Sequence, residues 1–214
     1  MKKYKRKFRI SIIIFILGIL VIFYPIFAKM INKKAQTEAI TKYTDIINNM
    51  EDDKIDKYKE KFAKYNEDLI QEKTSTINLL KKGEILGFIK IVKIKLNLPI
   101  YEGTDNQSLE NGVGHLEKSM LPIKSLDYHS IFVGHNGISS KKIFDDLYKL
   151  EIGDFFQINI LNEIFKYNVT SIKTIEPDDT GDLKVQSKKK QVTLVTCTPK
   201  YVNTHRLLII GEEL

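Results

Sequence analysis

The chain has 214 residues, 43% of them hydrophobic and 29% charged, which excludes a disordered chain and a polytopic membrane protein. A single cysteine excludes a disulfide framework and a cysteine-cluster zinc site. The net charge of +7 sits at one end: residues 1–34 hold nine Lys or Arg and no acid, which leaves 25 basic against 27 acidic residues in 35–214, so no cationic domain is available to hold nucleic acid.

Residues 1–9 form a basic tail with Lys2, Lys3, Lys5, Arg6, Lys7 and Arg9. Residues 10–28 follow without a charge and are rich in Ile, Leu and Phe. As a helix this run spans about 28 Å, close to the thickness of bilayer hydrocarbon. It is longer than the core of a signal peptide, and Ile26-Phe27-Ala28 is a poor cleavage site, so an uncleaved anchor is expected. The heavier positive charge precedes the run, which places the N-terminus in the cytoplasm and the remainder outside.

Residues 29–84 are rich in Lys, Glu, Asp and Asn. Ile40, Tyr43, Ile47 and Met50 recur at helical spacing, as do Tyr58, Phe62, Tyr65 and Leu69. Each set makes one apolar stripe on a charged helix, so a helical stalk packed against the following domain is expected rather than a coiled coil. Composition changes near Ile85. Short runs rich in Ile, Val, Phe and Tyr then alternate with turn residues at 87–91, 98–102, 130–134, 155–161, 165–175, 191–196 and 206–211. That spacing predicts a barrel or a sandwich, with helical interruptions around 108–111 and 143–150. Lys188, Lys189 and Lys190 read as a solvated turn.

Chemistry centres on Cys197, at the end of the run Val192-Thr193-Leu194-Val195-Thr196. A lone cysteine is by default a small buried apolar residue. Arg206 opens the next run, and if the two strands pair antiparallel it stands beside Cys197, where a guanidinium stabilises a thiolate or an oxyanion. A thiol nucleophile also needs an imidazole within reach. His135 ranks first, because it ends an apolar run and opens a glycine-flanked loop. His115 fits a hydrogen-bonded core residue, His129 lies in a polar stretch ahead of a strand, and His205 points opposite to Arg206 on a strand. The dispersed histidines lack metal-ligand spacing, and Asp178 and Asp179 read as solvated turn carboxylates.

At these residues the chain resembles the sortases. Thr193-Leu194-Val195-Thr196-Cys197-Thr198-Pro199 with Val202-Asn203-Thr204-His205-Arg206-Leu207-Leu208 resembles the active-site signature of class C, pilin-assembling sortases. Gly134-His135-Asn136-Gly137 resembles the segment that carries the catalytic histidine of that family, and Gly112-Val113-Gly114-His115-Leu116 and Glu176-Pro177-Asp178-Asp179-Thr180 are also similar to class C segments. The resemblance implies a mainly β fold, an eight-stranded sortase β-barrel over 85–214 with short helices, behind the transmembrane helix and a stalk that includes a possible lid region. It implies a cysteine transpeptidase of the cell membrane that uses Cys197 as nucleophile, His135 as proton shuttle and Arg206 to hold the substrate backbone or the oxyanion. The implied partners are LPXTG-like sorting signals and an amine acceptor, either a pilin lysine or a peptidoglycan cross-bridge, with no cofactor and no metal. Departures from the family pattern fall at Asn136, where Arg is common, and at Lys200-Tyr201, where an aromatic-glycine pair is usual. The Asp-Pro-aromatic tripeptide of class C lids does not occur between Asn32 and Ile85, and the chain has no second hydrophobic segment ahead of Leu214. A thiol hydrolase and a non-catalytic, membrane-tethered binding or scaffold module are the other open readings.

Overall fold

The structure is a computed structural model that describes residues 2–71, 79–138, 140–184 and 189–214. The N-terminal basic and apolar segments form a single helix, α1 (Lys2–Asn48), which runs on without a break into the first stalk stripe. At 1.5 Å per residue its 47 residues measure about 70 Å. The apolar stretch is long enough to cross a membrane, and none of it is buried against the rest of the protein. A second helix, α2 (Asp52–Ile70), folds back after a short turn, with Asp52 and Asp53 complementing the positive end of its dipole.

The stripes pack as their spacing predicts. Ile40, Tyr43 and Ile47 on α1 and Ile55, Phe62 and Tyr65 on α2 are buried. The Tyr43 hydroxyl donates to the Leu86 carbonyl at 2.7 Å and accepts from the Leu161 amide at 2.7 Å. Asn66, fully buried, exchanges two hydrogen bonds of 2.8 Å with the Leu121 backbone. The helices are thus fastened to the domain behind them by polar joints as well as apolar area. Of the segment expected to hold a lid, residues 72–78 lie outside the described residues, as does Lys188 of the lysine run.

The remaining chain closes into a barrel. Its strands are β1 (Ile85–Ile91), β2 (Leu96–Glu102), β3 (Val113–His115), β4 (Tyr128–Val133), β5 (Phe155–Ile160), β6 (Glu163–Ile175), β7 (Lys190–Thr198) and β8 (His205–Glu213). The order around the barrel is β1-β2-β3-β4-β7-β8-β6-β5, and β5 closes on β1. Closure removes every free edge, which resolves the choice between barrel and sandwich. β2–β3 and β4–β7 are parallel pairs and the others antiparallel. Seven strands coincide with the expected runs. β3 was not among them, because three residues with a central glycine are too short to show alternation. A helix, α3 (Asn106–Asn111), stands at the first expected interruption, capped by Asp105. The second expected helix is instead a loop with a single 3-10 turn, Leu147–Lys149.

Alternate residues of each strand point inward. Phe132, Val192, Leu194, Leu207, Ile209, Phe156 and Tyr167 all belong to the lumen core and are almost inaccessible to solvent. Each large side chain buried there contributes roughly 1.5–3 kcal/mol. The intervening residues of β4, β7 and β8 form a separate apolar cluster on the outer face. Ile131, Val195, Leu208 and Ile210 make its centre, flanked by Leu116, Val133, Ile175 and Leu183.

Candidate active site

Cys197 lies on the penultimate residue of β7, on the same outward row as Val195, and is half-buried. β8 returns antiparallel and its register sets Arg206 directly opposite Cys197. The same register sets Ile175 of β6 opposite Arg206. The expectation that the two strand ends meet therefore holds in the fold. The guanidinium of Arg206 is restrained by its own turn: Nη1 donates to the carbonyls of Asn203 at 3.2 Å and His205 at 3.0 Å.

His135 arrives from the other side. β4 runs parallel to β7 with Val133 opposite Val195. The ladder continues past the end of the strand, since the Gly134 amide donates to Val195 O at 3.0 Å and Thr196 Oγ1 donates to Gly134 O at 2.7 Å. Two more residues along that direction lead to His135. The next residue ties this segment to the end of β7: Asn136 Nδ2 donates to Cys197 O at 2.9 Å. Ile175, Arg206 and Cys197 thus form one row across three neighbouring strands, β6, β8 and β7, and the segment that carries His135 runs on from β4 beside it. Gly134 is required ahead of the histidine: a Cβ there would lie 2.6 Å from the Phe144 ring.

The other histidines have structural partners. His115, on β3, is fully buried, with Nδ1 at 3.0 Å from Glu102 Oε2 and Nε2 at 3.0 Å from Ser119 Oγ. His129 lies within β4 rather than ahead of a strand. Its Nδ1 donates to Lys184 O at 3.0 Å, and its Nε2 lies 2.8 Å from Thr193 Oγ1, from which the neutral ring accepts. Burial pushes its pKa below the usual histidine value, with the Lys184 carbonyl and Asp182 acting in the opposite sense. His205 pairs with Glu176 at 3.1 Å on the partly exposed side of β8. Asp178 and Asp179 are exposed turn residues. A cavity of about 380 Å³ lies between α1, α2 and the barrel wall, lined by Tyr43, Ile47, Phe62 and Leu161, and none of its lining belongs to the Cys197 row.

Sequence reasoning passed over one residue that joins the site together. Asp145 is buried and accepts hydrogen bonds from the amides of Gly137 at 3.4 Å and Ile143 at 3.2 Å. It also pairs with Lys200 Nζ at 2.7 Å. The available signal was the departure from the family pattern at Asn136 and Lys200, the two positions that reach across to the opposite loop.

A family model described as the Sortase domain matches residues 89–214. The fold superposes on Clostridium perfringens sortase C, solved with the C-terminal cell wall sorting motif, with a TM-score of 0.78 and 38% identity over 83% of this chain and 98% of that one. Streptococcus agalactiae sortase C1 gives a TM-score of 0.77 and 39% identity over the same shares. Among curated proteins, Bacillus subtilis sortase D is 33% identical over 135 residues, covering 62% of this chain and 65% of that protein, so this match spans slightly less than two thirds of the relative. Listeria monocytogenes sortase A is 26% identical over 95% of this chain and 89% of its own length.

Proposed function

The chain belongs to the sortase family, and from that premise we propose that it is a membrane-anchored cysteine transpeptidase that cleaves LPXTG-like sorting signals and joins the acyl fragment to an amine. The observation that carries the proposal is the single row of Cys197, Arg206 and the incoming His135 segment at one end of the barrel.

The chemistry follows from that row. The Cys197 thiol gives its proton to His135 as its sulfur attacks the carbonyl carbon of the Thr–Gly bond, and the carbonyl electrons move to oxygen. Arg206 stands across from Cys197 and stabilises that oxyanion, a contribution worth about 10²–10³ in rate for one well-placed donor. When the tetrahedral centre collapses the C–N bond breaks, and His135 supplies the proton to the departing amine. A thioester to Cys197 remains. The acceptor amine attacks it, passes its proton to His135 and expels the sulfur. Splitting one acyl transfer into two lowers each barrier, and a site shielded from water favours the amine as acceptor.

The helix α1 anchors the enzyme, with the basic tail in the cytoplasm and the barrel outside. The likeness to sortase C structures at 38–39% identity supports a pilin lysine as acceptor. The test uses the full chain in detergent micelles with an LPXTG-like peptide. Mass spectrometry is expected to find a thioester on Cys197 that resolves onto a lysine-bearing pilin fragment. Absence of the adduct overturns the reading, exclusive resolution by water makes the protein a hydrolase, and preference for a cross-bridge amine reassigns the acceptor.

A further inference from the structure

The residues that have to deliver His135 to Cys197, 134–138 after β4, carry no regular structure of their own. What holds them is a buried carboxylate. Asp145 follows the loop and is 7% exposed. Its Oδ1 accepts from the amide of Gly137, two residues after His135, and its Oδ2 from the amide of Ile143, at the far end. The remaining charge on Oδ1 is met by Lys200 Nζ at 2.7 Å. Lys200 stands three residues after Cys197, in the turn that also carries Arg206 into place. One carboxylate therefore ties both ends of the histidine loop to the cysteine turn.

Two contacts show that the loops meet at this point. Gly137 has φ +84, and a Cβ there would lie 3.1 Å from the Tyr201 ring. Asn136 donates to the Cys197 carbonyl at 2.9 Å. The hydrogen bond from Lys200 to Asp145 holds the ammonium above its usual range.

We infer that Asp145 and Lys200 form a clasp that sets the position of His135 relative to Cys197, which makes both of them positioning residues for acyl transfer. The inference rests on the reading of Cys197 as nucleophile and His135 as proton shuttle. Displacing a reacting group by about 1 Å costs on the order of a hundredfold in rate, so a tether at this point controls kcat rather than substrate affinity.

The experiment compares wild type, Lys200→Met, Lys200→Arg, Asp145→Asn and the Asp145→Asn/Lys200→Met double variant, all as full chains in detergent. Each is assayed for peptide transfer to an amine and for the pH profile of Cys197 alkylation by iodoacetamide. Lys200→Met and Asp145→Asn are each expected to lower kcat by about tenfold or more with KM nearly unchanged. The double variant is expected to be no worse than the poorer single, and Lys200→Arg to recover most of the rate. The alkylation profile is expected to change in Lys200→Met and Asp145→Asn and to be retained in Lys200→Arg. Wild-type kcat in Lys200→Met, a loss confined to KM, or Lys200→Arg as impaired as Lys200→Met would each overturn the clasp. If Asp145→Asn does not fold, the two Lys200 variants decide alone. Absence of transfer by wild type counts against the proposed function instead, and the alkylation profiles then judge the clasp.

Discussion

β7 and β8 carry two different regions on one pair of strands. Their inward residues, Val192, Leu194, Leu207 and Ile209, fill the lumen. Their outward residues, Val195 and Leu208, form an apolar patch that ends in Cys197 and Arg206. A single step along the chain separates packing from chemistry. The strands close around the lumen, and its large side chains are almost all inaccessible to solvent, so their first requirement is to fill volume. The outer face is open to loops from other parts of the barrel, and Asn136 of the loop after β4 reaches it to bond the Cys197 carbonyl. The same face is covered elsewhere: on β1, Tyr43 and Ile47 of α1 pack with Ile85, Phe88 and, just past β5, Leu161. On β7 and β8 it leads to Cys197 and Arg206.

The sharpest way to break this division is Cys197→Ala. Transfer is expected to fall by more than about a thousandfold in a peptide ligation assay, while the thermal midpoint stays close to wild type. A large drop in the midpoint would show that the outer row carries packing as well. The converse substitution lies on β4. Phe132→Ala, at a side chain with no solvent exposure, is expected to cost about 3–5 kcal/mol in denaturant unfolding. A variant that stayed stable yet lost activity would erase the distinction between the two faces.

Tyr43→Phe tests the covered part of the outer face. It removes the donor to Leu86 O and leaves the Leu161 amide without its acceptor, at an expected cost of about 1–3 kcal/mol by the same unfolding measurement. The smallest effect concerns His129, on the outer face of β4 yet buried. Its folded pKa is depressed, so the unfolded chain binds the proton first as pH falls through about 6.5. Stability is therefore expected to decline from neutral pH toward the folded pKa and to level off below it. His129→Gln is expected to flatten that part of the curve in pH-dependent thermal melts.

Most of the barrel was legible along the chain, because alternation of apolar residues is a local signal that survives in any strand of five or more residues. β3 escaped it, as did the loop expected to be helical, where Phe144 and Leu147 are buried by contact with the barrel and not by helical periodicity. At the site, the pairing of Cys197 with Arg206 was readable because a short turn joins the two strands, which constrains them to be neighbours. Asn136 and Lys200 were visible as departures from a family pattern but carried no hint of partners.

The amino-acid sequence alone determined the apolar anchor, the amphipathic helices, the alternating strands and the residue types able to act as nucleophile, proton carrier and oxyanion donor. Each of these is written in a window of a few residues, where period and composition decide. The tertiary structure alone decided that the strands close, that β4 runs parallel to β7, and that a buried carboxylate at position 145 meets the ammonium of Lys200. These depend on register between segments far apart in the chain, and register is set by the packing of the whole lumen, which no local window contains.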